Sequence, residues 1–115
     1  MLLLHGTTRA RAEAIMKDGP DPDFGEPGEL TTADGFSMAR PAGPFALGNP
    51  EIIARGKAAK FPQDGDPVIL EIDVPDDVIR SAFDVVDEVR FLPGFGLEEL
   101  LQVWQSLPMR ILPLP

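Results

Sequence analysis

Leu2-Leu3-Leu4-His5-Gly6-Thr7-Thr8, running directly into Arg9–Gly19, is the stretch from which the rest of the chain is read. The three leucines predict a buried strand, too short for a membrane span or for the apolar region of a leader peptide. The strand is expected to end at His5, the only histidine in the chain. Gly6 suits a turn that a residue with a Cβ would resist. Thr7 or Thr8 is then placed to cap a helix by accepting a backbone N–H bond. That helix is expected to turn Ala10, Ala14 and Ile15 to one side and to close at Gly19. A lone imidazole at a strand-to-helix junction, beside a glycine and the positive end of a helix dipole, can present a ring and backbone amides to an anionic ligand.

The rest of the chain is consistent with one folded unit built around that opening. A length of 115 residues fits one domain with one core, and an apolar fraction of 43% argues against global disorder. Cysteine is absent, which removes disulfides and thiolate metal sites and fits a reducing compartment. No long apolar run, leader or lipidation motif is seen, so a soluble cytoplasmic protein without membrane attachment is expected. The net charge of −9 argues against nucleic acid as a partner, because phosphates are neutralised by Lys and Arg. Residues 1–60 carry seven Lys/Arg against eight Asp/Glu, and residues 61–115 carry three against eleven. An anionic small molecule therefore meets less repulsion from the first half, where Arg9, Arg11, Arg40, Arg55, Lys57 and Lys60 lie.

Pro20–Gly28, with three prolines and two glycines, reads as a loop pinned by Phe24. Glu29–Ala33 leans towards a short strand and Asp34-Gly35 towards a turn. Phe36–Arg40 is expected as one helical turn, stopped by Pro41, and residues 41–48 as a second loop. Asn49-Pro50-Glu51 combines a capping residue, a proline at the first helical position and an acid in the first turn. A helix is predicted from there to Lys60, with Ile52, Ile53 and Ala59 towards one face, ended by Phe61-Pro62. Gly56 should weaken it by roughly 1 kcal/mol relative to alanine. Gln63–Asp66 reads as a turn. Pro67–Val74 alternates apolar residues as a half-buried strand does. A short turn is expected through Val78 and Ile79, a second strand at Glu88–Phe91, and a last short strand at Met109–Leu112. Leu97, Leu100, Leu101 and Trp104 follow the spacing of an amphipathic helix and read as core. The order predicts an α+β fold with small mixed or antiparallel sheets and about three helices.

Few residues are left to carry chemistry. Ser37, Ser81 and Ser106 lie in no nucleophile-elbow context, and a single histidine does not make a zinc site. Neither a phosphate-binding loop nor a dinucleotide fingerprint is present. What remains is His5-Gly6-Thr7 early and carboxylates late. With these residues the chain resembles the ADP-ribosyltransferase fold superfamily, including its poly(ADP-ribose) polymerase-like branch. Members often open with a strand ending in His-Gly-Thr or His-Gly-Ser, followed by a helix like Ala10–Gly19. Gly28-Glu29-Leu30-Thr31-Thr32 corresponds to their glycine-led strand, and Asn49–Lys60, Val68–Val74 and Glu88-Val89-Arg90-Phe91 to the helix and strands that follow. The family commonly carries a tyrosine where this chain offers Leu30 or Phe36.

The resemblance implies a pocket for NAD+, used as substrate. By it, His5 bonds a ribose hydroxyl, the Gly6 backbone holds the nicotinamide amide, and Thr7 stands beside them in the pocket. Thr31 or Thr32 lines the pocket, Phe36 offers an aromatic face, and Glu88 bonds the nicotinamide-ribose hydroxyl. Glu88 would also stabilise the oxocarbenium-like cation formed as nicotinamide leaves. The implied function is transfer of ADP-ribose, to an acceptor such as a protein, or hydrolysis of NAD+. The alternative is a non-catalytic module that binds a protein or a nucleotide on the same fold. A 2′-phosphotransferase acting on RNA is related by fold, but needs several arginines around a phosphate and is disfavoured by the charge.

Overall fold

The computed structural model describes residues 1–20, 36–41, 49–80, 83–85 and 88–114, with only the backbone path for 83–85. The opening stretch is a strand for its whole length: β1 spans Leu2–Thr8. It therefore runs on through Gly6 and Thr7 instead of turning at His5. The helix α1, Arg9–Asp18, follows at once and closes at Gly19, whose N–H reaches Ile15 O at 2.8 Å with φ 84°. That glycine closure was legible in the sequence. Thr8 occupies the capping position, but its side chain makes no capping bond. The helix also presents a different face from the one expected. Ala12 is fully buried, with Ile15 and Met16 partly so, while Ala10 and Ala14 face solvent. Three alanines at positions 10, 12 and 14 give too little hydrophobic contrast to fix the phase of the helix.

Phe36–Ala39 is a strand, β2, and not a helical turn. Its Phe36 and Met38 are buried at strand alternation, a period that outweighed the helix-favouring residues in so short a segment. Asn49 begins α2, Pro50–Lys60, by accepting the Glu51 N–H at 2.9 Å. Strand β3 is Pro67–Asp73, with Val68, Leu70 and Ile72 fully buried and their neighbours less so. One helical turn, α3, spans Asp76–Ile79. Strands β4, Phe83–Val85, and β5, Glu88–Phe91, follow. Helix α4 covers Leu97–Val103, and β6 covers Met109–Pro113.

The six strands form one sheet in the order β4-β5-β2-β1-β3-β6, and every pairing is antiparallel. The result is an α+β fold with four α-helices among the described residues, one of them a single turn. Seven residue pairs join β1 to β3, from Leu2↔Asp73 to Thr8↔Pro67. By contrast, β1 and β2 share only Leu4↔Ala39. One face of the sheet carries Leu3, Val68, Leu70, Ile72, Phe36, Met38, Val89 and Phe91, which form the core with Ala12 of α1 and Leu97, Leu100 and Trp104. Trp104 Nε1 donates to Ile15 O at 2.8 Å and so ties the end of α4 to α1.

The opposite face holds α2, and Gly6 explains how closely. A Cβ built on Gly6 would lie 1.9 Å from Pro50 O and 3.0 Å from Ala54 N. Gly6 is therefore required by the approach of a helix backbone to the strand, and not by a turn. Ala54, fully buried, is the residue of α2 at that contact, while Ile52 and Ile53 are 54% and 36% exposed. The apolar face expected from Ile52, Ile53 and Ala59 is therefore not the one that packs on the sheet, because a contact this close admits only small side chains. Among the described residues no helix is long and apolar enough to cross a membrane.

Candidate functional site

The candidate site begins at the one place where the sheet is thin. Beyond Leu4↔Ala39 the ladder between β1 and β2 stops, and a side chain takes over. His5 Nδ1 lies 2.8 Å from Ser37 O. The carbonyl can only accept, so Nδ1 carries the hydrogen and donates it. The ring also lies on Phe36, with centroids 4.5 Å apart and planes at 37°, and Phe36 meets Trp104 edge-on at 6.0 Å. His5 keeps a part of its surface open while the atoms around it exclude water from most of the ring.

That environment sets its charge. Loss of solvation, first, and the positive charges of Lys57 and Arg11 together pull the imidazole pKa from 6.5 down to about 3, against a smaller opposing effect of the Ser37 bond. At neutral pH the ring is therefore uncharged. With the hydrogen fixed on Nδ1, Nε2 presents a lone pair. Such a nitrogen accepts from a hydroxyl or an amide N–H and does not attract an anion. Anion attraction nearby comes from Lys57 and Arg11 instead, two of the basic residues that the sequence places in its less acidic first half.

The other expected site residues are distributed as follows. Gly6 adjoins His5, with its Cα face against α2. Thr7 is fully buried, and neither its hydroxyl nor that of Thr8 has a hydrogen-bond partner among the described residues. Phe36 is 7% exposed and belongs to the core, with His5 against its ring. Thr31 and Thr32 lie outside the described residues, as do all of residues 21–35 and 42–48 and Asp87.

Glu88 opens β5 directly opposite Ala39, which in turn faces Leu4 on β1. Two strand spacings, about 10 Å, separate the backbones of β1 and β5 along this row. Alternation puts Glu88 with Leu4 and Ala39, whereas His5 lies with Leu3, Leu70 and Phe36 on the other face of the pleat. The pleat alone therefore does not bring the two side chains together. Glu88 also has a partner of its own: Arg90 Nη2 donates to Glu88 Oε1 at 3.4 Å, both side chains being about a quarter exposed, 29% for Glu88 and 24% for Arg90. Arg90 did not stand out in the sequence as a site residue. Its signal was the spacing of two along a strand, which puts it on the same face as Glu88. Among the described residues no group of three His, Asp or Glu side chains is arranged to hold a metal.

The chain matches no family model, no curated protein and no solved structure.

Proposed function

We propose that this chain is an ADP-ribosyltransferase-like domain that binds NAD+. The observation that carries the reading is the state of His5: a neutral imidazole, oriented by Ser37 O, with an accepting Nε2 and a partly open surface, flanked by the cations Lys57 and Arg11. A ribose hydroxyl is a suitable donor to that nitrogen, and the flanking cations suit a diphosphate. In this reading the Gly6 backbone and Thr7 adjoin the bound nucleotide, and Thr31 or Thr32 and Phe36 border it. Glu88 stabilises the cation formed when the glycosidic bond to nicotinamide breaks. ADP-ribose then passes to water or to an acceptor such as a protein side chain. The cysteine-free composition suits a reducing cytoplasm.

Calorimetry with NAD+ and an assay of nicotinamide release on the wild type, His5→Ala and Glu88→Ala test this reading. Binding by the wild type, loss of binding in His5→Ala, and a fall in release on the order of 100-fold in Glu88→Ala are the expected results. Unchanged release in both variants would remove these residues from the mechanism.

A second reading is favoured by a specific observation. Glu88 and His5 take opposite faces of the sheet, and Glu88 is engaged by Arg90. A domain that binds a nucleotide without turning it over needs no convergence of these two groups. NAD+ binding without nicotinamide release supports it.

A further inference from the structure

Helix α2 packs on the sheet through Ala54 and turns its opposite side to solvent. At about 100° per residue, Ile52, Gly56 and Ala59 fall in one stripe pointing directly away from Ala54. All three are exposed, as is Ile53 at the edge of the stripe. Gly56 is the member that the fold does not explain. A glycine in mid-helix costs about 1 kcal/mol relative to alanine. Its backbone here is helical and not left-handed, and a Cβ built on it would meet nothing within 4 Å. Nothing inside the chain therefore calls for glycine at this position. Gly6 shows what does call for one: there the missing Cβ lets the backbone of α2 come down on β1. Gly56 offers the same close approach on the outer side of the helix, with the bulky Ile52 one turn before it.

The two flanks of the stripe decide what fits it. Glu51 and Arg55 lie on one flank, ion-paired within the helix at 3.1 Å, and Ile53 lies on the other. A second copy of α2 laid antiparallel on this face, with the two-fold axis at the level of residue 54, matches every part. Ile52 of each copy then stands over the bare backbone of the partner's Gly56, in both directions. In an antiparallel pair each flank meets its own counterpart, so each Glu51 meets the partner's Arg55 and Ile53 meets Ile53. The helix dipoles also run opposite. A parallel pair would instead set Ile52 against Ile52 and the charged flank against Ile53. We infer that the outer face of α2 is a self-association surface, on which two copies of this chain pair antiparallel with Ile52 of each seated over Gly56 of the other. The 11 residues of α2 extend only about 16 Å. Each copy thus contributes less than the roughly 800 Å² of a standard interface, and a Kd of about 0.1 mM is expected. This pairing is independent of any nucleotide bound near His5.

Sedimentation equilibrium of the full chain from about 0.005 to 1 mM, at about 0.15 M salt to screen the net charge, tests this. The proteins are the wild type, Ile52→Asp, Gly56→Gln and, as a control, Phe95→Ser, which changes an apolar side chain 66% exposed outside α2. The wild-type mass should rise with concentration from 12.5 kDa towards twice that value. Ile52→Asp and Gly56→Gln should each weaken pairing at least about tenfold, and Phe95→Ser should leave it unchanged. Both α2 positions are exposed, so thermal melts at the lowest concentration should show both variants folded; if one is not, the other decides. Glu51→Arg should weaken pairing several-fold, and the swap Glu51→Arg with Arg55→Glu should restore it, as the antiparallel match requires. A wild type that stays monomeric up to about 1 mM overturns the inference, as does unchanged pairing in the folded Ile52 or Gly56 variant. Pairing lost in Phe95→Ser but kept in the α2 variants assigns association to another surface and overturns it equally. A single reversal at Glu51 without effect overturns the antiparallel arrangement.

Discussion

His5 shows how a single side chain can link the fold to pH. Its folded pKa of about 3 lies below the unfolded value of 6.5, so between these limits the unfolded chain binds the extra proton. Its contribution to stability is therefore complete above about pH 6.5 and is lost as the pH falls. At one unit below 6.5, the wild type should lose about 1.4 kcal/mol more than His5→Gln, relative to pH 7.5. Urea titrations of both proteins at the two pH values measure this difference, and parallel losses would mean that the ring is not the titrating group. Asp66 adds a related but separate effect, since its hydrogen bond from Arg9 holds its carboxyl below the ordinary value. The comparison with His5→Gln cancels that term. Nothing in the sequence announced the Ser37 carbonyl as the partner of His5, because a backbone acceptor has no residue type to read. The histidine itself, standing alone between an apolar strand and a glycine, was visible from the start.

Helix α2 carries two glycine tests of opposite sign. Alanine at position 6, on the strand beneath it, would drive a methyl into the Pro50 carbonyl at 1.9 Å. Gly6→Ala should cost about 1–3 kcal/mol or more, seen as a lower denaturation midpoint. Alanine at position 56 meets nothing within 4 Å on an exposed helical turn. Gly56→Ala should therefore stabilise by about 0.5–1 kcal/mol. Removing the cap with Asn49→Ala should cost about 1 kcal/mol in the same measurement. The start of α2 was legible because capping chemistry is local, and so was β3, where Val68, Leu70 and Ile72 alternate cleanly with partly wet residues. The face of α2 was not legible. Hydrophobicity pointed to Ile52 and Ile53, but the sheet admits only Ala54, and that constraint arises from a glycine more than forty positions away. Likewise Phe36–Ala39 reads locally as a helical turn, and its four residues become the strand β2 by pairing with β5. β4, Phe83-Asp84-Val85, alternates for three residues only, too few for periodicity to mark a strand.

A charge of −9 on a body this small repels itself, and this can be observed for the molecule as a whole. Raising the ionic strength from about 0.01 M to 0.15 M shortens the Debye length to about 8 Å. The melting temperature should then rise by a few degrees, because screening of the net repulsion outweighs the weakening of exposed pairs such as Arg9–Asp66 and Arg110–Glu71. A fall in melting temperature would assign the balance to those pairs. The thin join between β1 and β2 has a consequence of another kind. On one side of it stand β4, β5 and β2, and on the other β1, β3 and β6. In chain order the polypeptide passes over that join four times, between β1 and β2, β2 and β3, β3 and β4, and β5 and β6. Neither half is thus a continuous piece of polypeptide, and no single cut liberates one that is whole. However weakly the halves are stitched at the middle, they can only be made, and lost, together.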